Sequence, residues 1–139
     1  DVKYYVLLPS VDYVGSGLDN YQWQMLLRSL SAFRSFHWAY GGEVTAGKIA
    51  HFLILNTQFP RSLLTAVAGA NSCLDRLARS YGASTPAQEG ARALLGELAE
   101  KQVDDVFEEG LHEFLERFIR DIADLSGRVN NHYLSGLAQ

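Results

Sequence analysis

Residues 104–135, DDVFEEGLHEFLERFIRDIADLSGRVNNHYLS, decide the fold. Within them Phe107, Leu111, Phe114, Leu115, Phe118, Ile122, Leu125, Val129 and Tyr133 recur at steps of three and four, which lays out one apolar face of an α-helix. A continuous helix over this span is about 45–50 Å long at roughly 1.5 Å per residue. No single turn covers such a face, so other helices must lie along it. Gly110 and Gly127 stand inside the pattern, where a bend or a close helix approach is expected.

Working upstream, Thr85-Pro86-Ala-Gln88 joins an N-cap hydroxyl, a proline at the first helical position and a Gln three residues after the cap. A helix begins there, and Gly90 and Gly96 in its interior, each costing about 1 kcal/mol against Ala, mark it as the least stable element. Before it, Pro60 reads as a first helical residue, followed by Leu63, Leu64, Val67, Leu74, Leu77 and Tyr81 before Gly82. Thr45 reads as the cap of a short helix whose run Phe52-Leu-Ile-Leu55 is apolar on every side, the mark of a central element, with a short strand as the rival. Trp23, Leu26, Leu27, Leu30, Phe33, His37 and Tyr40 form one more stripe, capped by Asp19 or Asn20 and stopped by Gly41-Gly42. The opening residues 2–8 suit a strand as readily as a helix end, and Pro9 closes them. Short turns and the lack of a clear alternating strand predict an all-α fold, an antiparallel bundle of about five to six helices forming a single domain over residues 1–139.

Composition narrows the function classes. The 139 residues are 47% hydrophobic, enough for one core, and 12 Lys and Arg against 16 Asp and Glu give a net charge of −4 without a basic tract. Phosphate backbones are poor partners for such a surface, so nucleic acid is not expected. One cysteine, Cys73, rules out an internal disulfide and points to a reducing, cytoplasmic setting. No apolar run approaches the roughly 20 residues of a bilayer span. The first residue is Asp1 rather than Met, so the chain reads as a piece of a longer protein.

Candidate sites are few. Glu109-x-x-His112 matches half of a di-metal carboxylate motif, but a single copy makes no centre, and neither a metal nor another cofactor is expected. Glu108, Glu109, Glu113 and Glu116 read instead as a solvated acidic face, with Glu113 and Glu116 pairing with Arg117 and Arg120. His37 reads as a core-edge histidine and Cys73 as a small buried residue beside Leu74 and Leu77. Tyr21, Trp23, Arg28, Arg34 and Trp38 gather aromatic and guanidinium groups on one segment, a pattern suited to an anion or a protein partner. Arg61, read into the first turn of a helix, opposes the macrodipole and is expected to have an acidic partner.

The stretches DVKYYVLLPS (1–10), LDNYQW (18–23), LLRS (26–29), FLILN (52–56), FPRS (59–62) and GLHEFL (110–115) resemble the C-terminal half of the alpha-E domain family, a bacterial, predicted all-helical domain of unknown function. The resemblance implies that residues 2–8 are the tail of a helix. It also places the family's Glu-Arg motif just upstream of Asp1, which makes the chain the C-terminal part of a longer alpha-E protein. Residues 41–48 and 64–73 depart from the pattern. Family context implies ATP-grasp-type ligases and transglutaminase-like proteins as partners in peptide ligation or modification. The expectation is therefore a non-catalytic helical interaction module, with Tyr21, Trp23, Arg28, Arg34, Arg61, His112 and Glu113 as candidate ligand- or partner-binding residues. Its rival is part of an enzyme or anion-binding protein, which requires His112, Glu113 and an arginine to converge. Self-association of the truncated chain is a further expectation.

Overall fold

The computed structural model describes residues 17–135, so the opening segment 2–8 lies outside the described residues. Those described form seven α-helices and no strand: α1 (Gly17–Ser29), α2 (Phe33–Ala39), α3 (Ala46–Ile54), α4 (Leu63–Tyr81), α5 (Pro86–Glu100), α6 (Val103–Glu109) and α7 (Leu111–Val129), followed by a short π-helical segment, Asn130–Leu134. The all-α expectation holds. The count exceeds five to six because two predicted helices are each broken in two.

The first break falls after α1. The Ala32 N–H reaches the Leu27 carbonyl at 2.8 Å and the Ser31 N–H reaches Arg28 at 3.0 Å, the hydrogen-bond pattern that ends a helix through a left-handed residue. That residue is Ser31, at φ 53°, a position usually given to glycine. The 23–40 stripe is therefore two helices folded on each other. α1 also begins at Gly17, ahead of the Asp19 or Asn20 expected as its cap.

The second break falls at Gly110, at φ 97° and ψ 120°, so the predicted rod over 104–135 becomes α6 and α7. The Glu113 side chain occupies the space that a Cβ at residue 110 would need. Gly127 meets nothing within 4 Å and leaves α7 uninterrupted.

α3 is central, as its all-apolar run predicts, and the strand alternative falls. Thr45 caps it by accepting the Lys48 N–H, and Ile49, Ala50, Phe52, Leu53 and Ile54 are all buried. Ile49, Phe52 and Leu53 join Leu26, Leu27, Ala32, Phe36 and Phe59 in one cluster. Ala50 and Ile54 face a larger one with Val67, Leu94, Leu98, Val106, Phe114 and Leu115. Trp23 of α1 packs against both.

α4 starts later than Pro60 predicts. Ser62 is its N-cap, accepting the Thr65 N–H at 3.1 Å, and Pro60 and Arg61 belong to the preceding turn. Gly82, at φ 71°, closes α4, and residues 82–85 fold α5 back along it. Thr85 accepts the Gln88 N–H as expected, but the Gln88 amide donates to Asp75 of α4 at 2.6 Å rather than returning to its own cap. The two interior glycines of α5 differ: a Cβ at Gly90 would meet Arg128 and Leu125 of α7, whereas one at Gly96 would meet nothing within 4 Å.

The two breaks carry opposite expectations. Ser31→Gly removes a left-handed strain of about 1–2 kcal/mol and returns part of it in chain entropy. Its thermal midpoint should rise by a few degrees. Gly110→Ala adds that strain and displaces Glu113, so its midpoint should fall, by about 1–3 kcal/mol of stability. Thermal denaturation followed by circular dichroism reads both.

Candidate functional site

The turn after α3 is held by one asparagine. Asn56 Oδ1 accepts the N–H groups of Gln58 and Phe59, each at 2.7 Å, and its carbonyl accepts the hydroxyls of Ser62 at 2.6 Å and Thr65 at 3.1 Å. The Asn56 amide donates to the Tyr40 hydroxyl at 3.1 Å, and the same hydroxyl is hydrogen-bonded to His51 Nδ1. Ser62 is wholly buried. Asn56 thus ties the turn to α4 and to α2, and Phe59 is fixed against Phe52 with ring centroids 4.2 Å apart and planes at 23°.

Arg61 completes the turn. Its guanidinium donates to the carbonyls of Leu30 at 2.7 Å and Ser31 at 3.2 Å, and it lies 5.2 Å from the Phe59 ring centre. This corrects the expectation of an acidic partner. Arg61 lies outside α4, and its charge meets the carbonyl end of α1, the end of a helix that favours a cation.

Between this turn and α2 lies an open groove of about 460 Å3. Phe52, Phe59 and Pro60 line it on one side, and Arg34 and Trp38 on the other. Trp38 is 91% exposed, more than any other large hydrophobic residue described. Arg34 and Trp38 stand one turn apart, so they share a face, while Phe33, Phe36 and Tyr40 turn inward to the core. Among the described residues Arg34 has neither a hydrogen bond nor an ion pair. That i, i+4 pair, out of register with the buried stripe, was the sequence signal for the groove.

The other candidates are dispersed. Trp23 is half-buried between two core clusters. Arg28 lies 4.1 Å from the Phe33 ring centre, and Tyr21 is 60% exposed on α1. His112 Nε2 lies 3.8 Å from Glu116, and its Nδ1 is buried without a hydrogen-bond partner. Glu113, in the first turn of α7, has no hydrogen bond or ion pair to His112 or to any arginine among the described residues. Arg28, Arg34 and Arg61 belong to the α1–α3 end of the molecule, so His112, Glu113 and an arginine are not brought together. His37 packs edge-on to Phe33 and Phe36, as a core-edge residue does. Cys73 is exposed on α4, contrary to expectation, because the buried positions of that helix are Val67, Leu74 and Ala78.

The polar hub of the molecule is Arg117. It grips both carboxylate oxygens of Glu109, through Nε at 2.8 Å and Nη2 at 3.0 Å, and reaches Glu97 at 2.6 Å. Lys101 joins at 3.0 Å from Glu109, and Phe114 lies beneath both cations. The expected Glu113–Arg117 pair is replaced by one eight residues long. In an unbroken helix eight residues span about 12 Å, so only the turn at Gly110 lets Glu109 reach Arg117. Glu116-Arg117 is the single Glu-Arg dipeptide in the chain, and with the family's motif sought upstream of Asp1 nothing marked its arginine as a hub. A smaller cluster ties α4 to α5, where the Gln88 amide and then the Arg92 guanidinium hold the Asp75 carboxyl below its usual range.

No group of three or more His, Cys, Asp or Glu side chains among the described residues is placed to hold a metal ion, and no described helix is long and apolar enough to cross a membrane. What the fold defines is a helical bundle whose charged joints are internally paired and whose aromatic groove is open. The chain belongs to the Alpha-E family: the model of that family, a predicted alpha-helical domain with a conserved ER motif, matches residues 1–134. No curated protein and no solved structure matches it.

Acid titration tests the hub. The Arg117 guanidinium holds the Glu109 carboxyl down to about 2 from its ordinary 4.5. A depressed carboxylate contributes stability that is complete above pH 4.5 and lost as pH falls from there toward 2. Solvent screening limits this to about 1 kcal/mol. Glu109→Gln should therefore be less stable at pH 7 and show a shallower loss between pH 4.5 and 2 than the parent, measured by urea unfolding across pH.

Proposed function

We propose that this chain is a non-catalytic helical interaction module that docks on a ligase-type enzyme, ATP-grasp-type or transglutaminase-like, through the face of α2 that carries Arg34 and Trp38. The observation behind this reading is the indole of Trp38, 91% exposed at the rim of a groove whose other wall is aromatic. Large exposed aromatics beside a preformed concavity are the usual anchors of protein interfaces, where Trp and Arg carry a disproportionate share of the binding energy.

The rest of the molecule supports it. Three polar side chains are occupied in holding the chain together: Arg61 on backbone carbonyls, Arg117 on Glu97 and Glu109, His51 on Tyr40. The groove is built on a turn pinned by the hydrogen bonds of Asn56 and Ser62, which lowers the ordering cost of docking there.

Calorimetric titration of the chain with a purified ATP-grasp-type ligase from its own host tests the reading. Saturable binding is expected, with Trp38→Ala weakening it about tenfold or more while the melting curve is unchanged. Absence of binding, or equal binding by Trp38→Ala, overturns the reading. Trp23→Ala should instead lower the melting temperature, since that ring is packed between core clusters.

A further inference from the structure

The chemistry of the groove selects among occupants. Its apolar surface comes from Phe59, Pro60 and Trp38 over the buried Phe52, and among the described residues Arg34 is the one charged side chain that lines it. The chain as a whole is acidic, at net charge −4, yet no carboxylate lines this groove and none pairs with Arg34 among the described residues. The positive charge of Arg61 stands behind Phe59, fixed on the carbonyls of Leu30 and Ser31. An unpaired guanidinium next to an aromatic trough offers a fork to a carboxylate and a dry face to an apolar side chain. A volume of about 460 Å3 lies within the range of small-ligand sites and is open to solvent.

We infer that the Arg34–Trp38 groove binds an extended peptide segment of its partner in which a bulky apolar side chain stands next to an acidic one. The apolar side chain lies against Phe59 and Pro60 beside the Trp38 indole, and the acidic side chain pairs with Arg34. The Asn56 side chain is held by the turn and by Tyr40, which fixes its place in the groove wall. This rests on the docking reading above and gives that surface its ligand chemistry. Charge complementarity also predicts salt sensitivity, since Arg34 is exposed.

Fluorescence anisotropy with labelled, end-capped pentapeptides tests it on the full chain. One probe carries Phe-Glu-Leu at its centre, the second Phe-Lys-Leu and the third Gly-Glu-Gly. The first should bind at least tenfold more tightly than either of the others, and more weakly as salt is raised. Arg34→Gln should abolish the preference for Glu over Lys, and Trp38→Ala should weaken the first probe about tenfold. Both positions are exposed, and unchanged melting curves establish that the variants fold. Equal affinity for the Glu and Lys probes, indifference to Arg34→Gln, or no binding of the first probe each overturns the inference. If the ligase still binds in a manner dependent on Trp38, such a result removes the acidic-peptide specificity alone. Loss of ligase binding as well removes the docking reading with it.

Discussion

Burial of α3 between two core clusters is the constraint on which the rest of the structure depends. A nine-residue helix, Ala46–Ile54, sends Ile49, Phe52 and Leu53 into one cluster and Ala50 and Ile54 into another, and leaves only a half-buried strip at Gly47, Lys48 and His51. Each fully buried large side chain contributes about 1.5–3 kcal/mol. The helices around it are placed to supply that burial: α1 and α2 on one side, α4, α6 and α7 on the other. Across the breaks at Ser31 and Gly110 the two halves of each stripe join the same cluster, Leu27 with Phe36 at the first and Val106 with Phe114 at the second.

The charged groups act at the joints this folding creates. Arg61 caps the end of α1 at the first break, and Glu109 reaches Arg117 across the second. Surface ion pairs are ordinarily worth little, but a bidentate arginine shared by two carboxylates, over a buried ring, fixes geometry as well as energy. Arg34 stands beside the exposed Trp38 with no hydrogen bond or ion pair among the described residues, which is why the functional reading turns to that face.

Much of this was legible in the residues. The stripe of α7, the apolar run of α3, the caps Thr45 and Thr85 and the stop at Gly82 all follow from local rules, and each stands where those rules place it. Both breaks were harder to read. Apolar spacing passes unchanged through Ser31 and Gly110, because it records which face is buried and not whether the axis is straight, and serine carries no signal for a left-handed turn. Pro60 misplaced the start of α4 because Ser62, two residues on, offers a hydroxyl that a first-turn proline cannot. The candidate site was half visible: Arg34 and Trp38 are in the sequence as an i, i+4 pair, but the opposite wall comes from Phe52 and Phe59, which only the Asn56 turn brings across. Arg117 looked like one more surface cation until Gly110 turned Glu109 toward it.

Native-state hydrogen exchange tests the central claim most directly. With α3 gripped from both sides, its amides between Ala50 and Leu55 should exchange only through global unfolding, with the same free energy and denaturant dependence as the unfolding transition itself. Exchange of those amides through a smaller opening, at lower free energy than the amides of α5 or α7, would contradict the account.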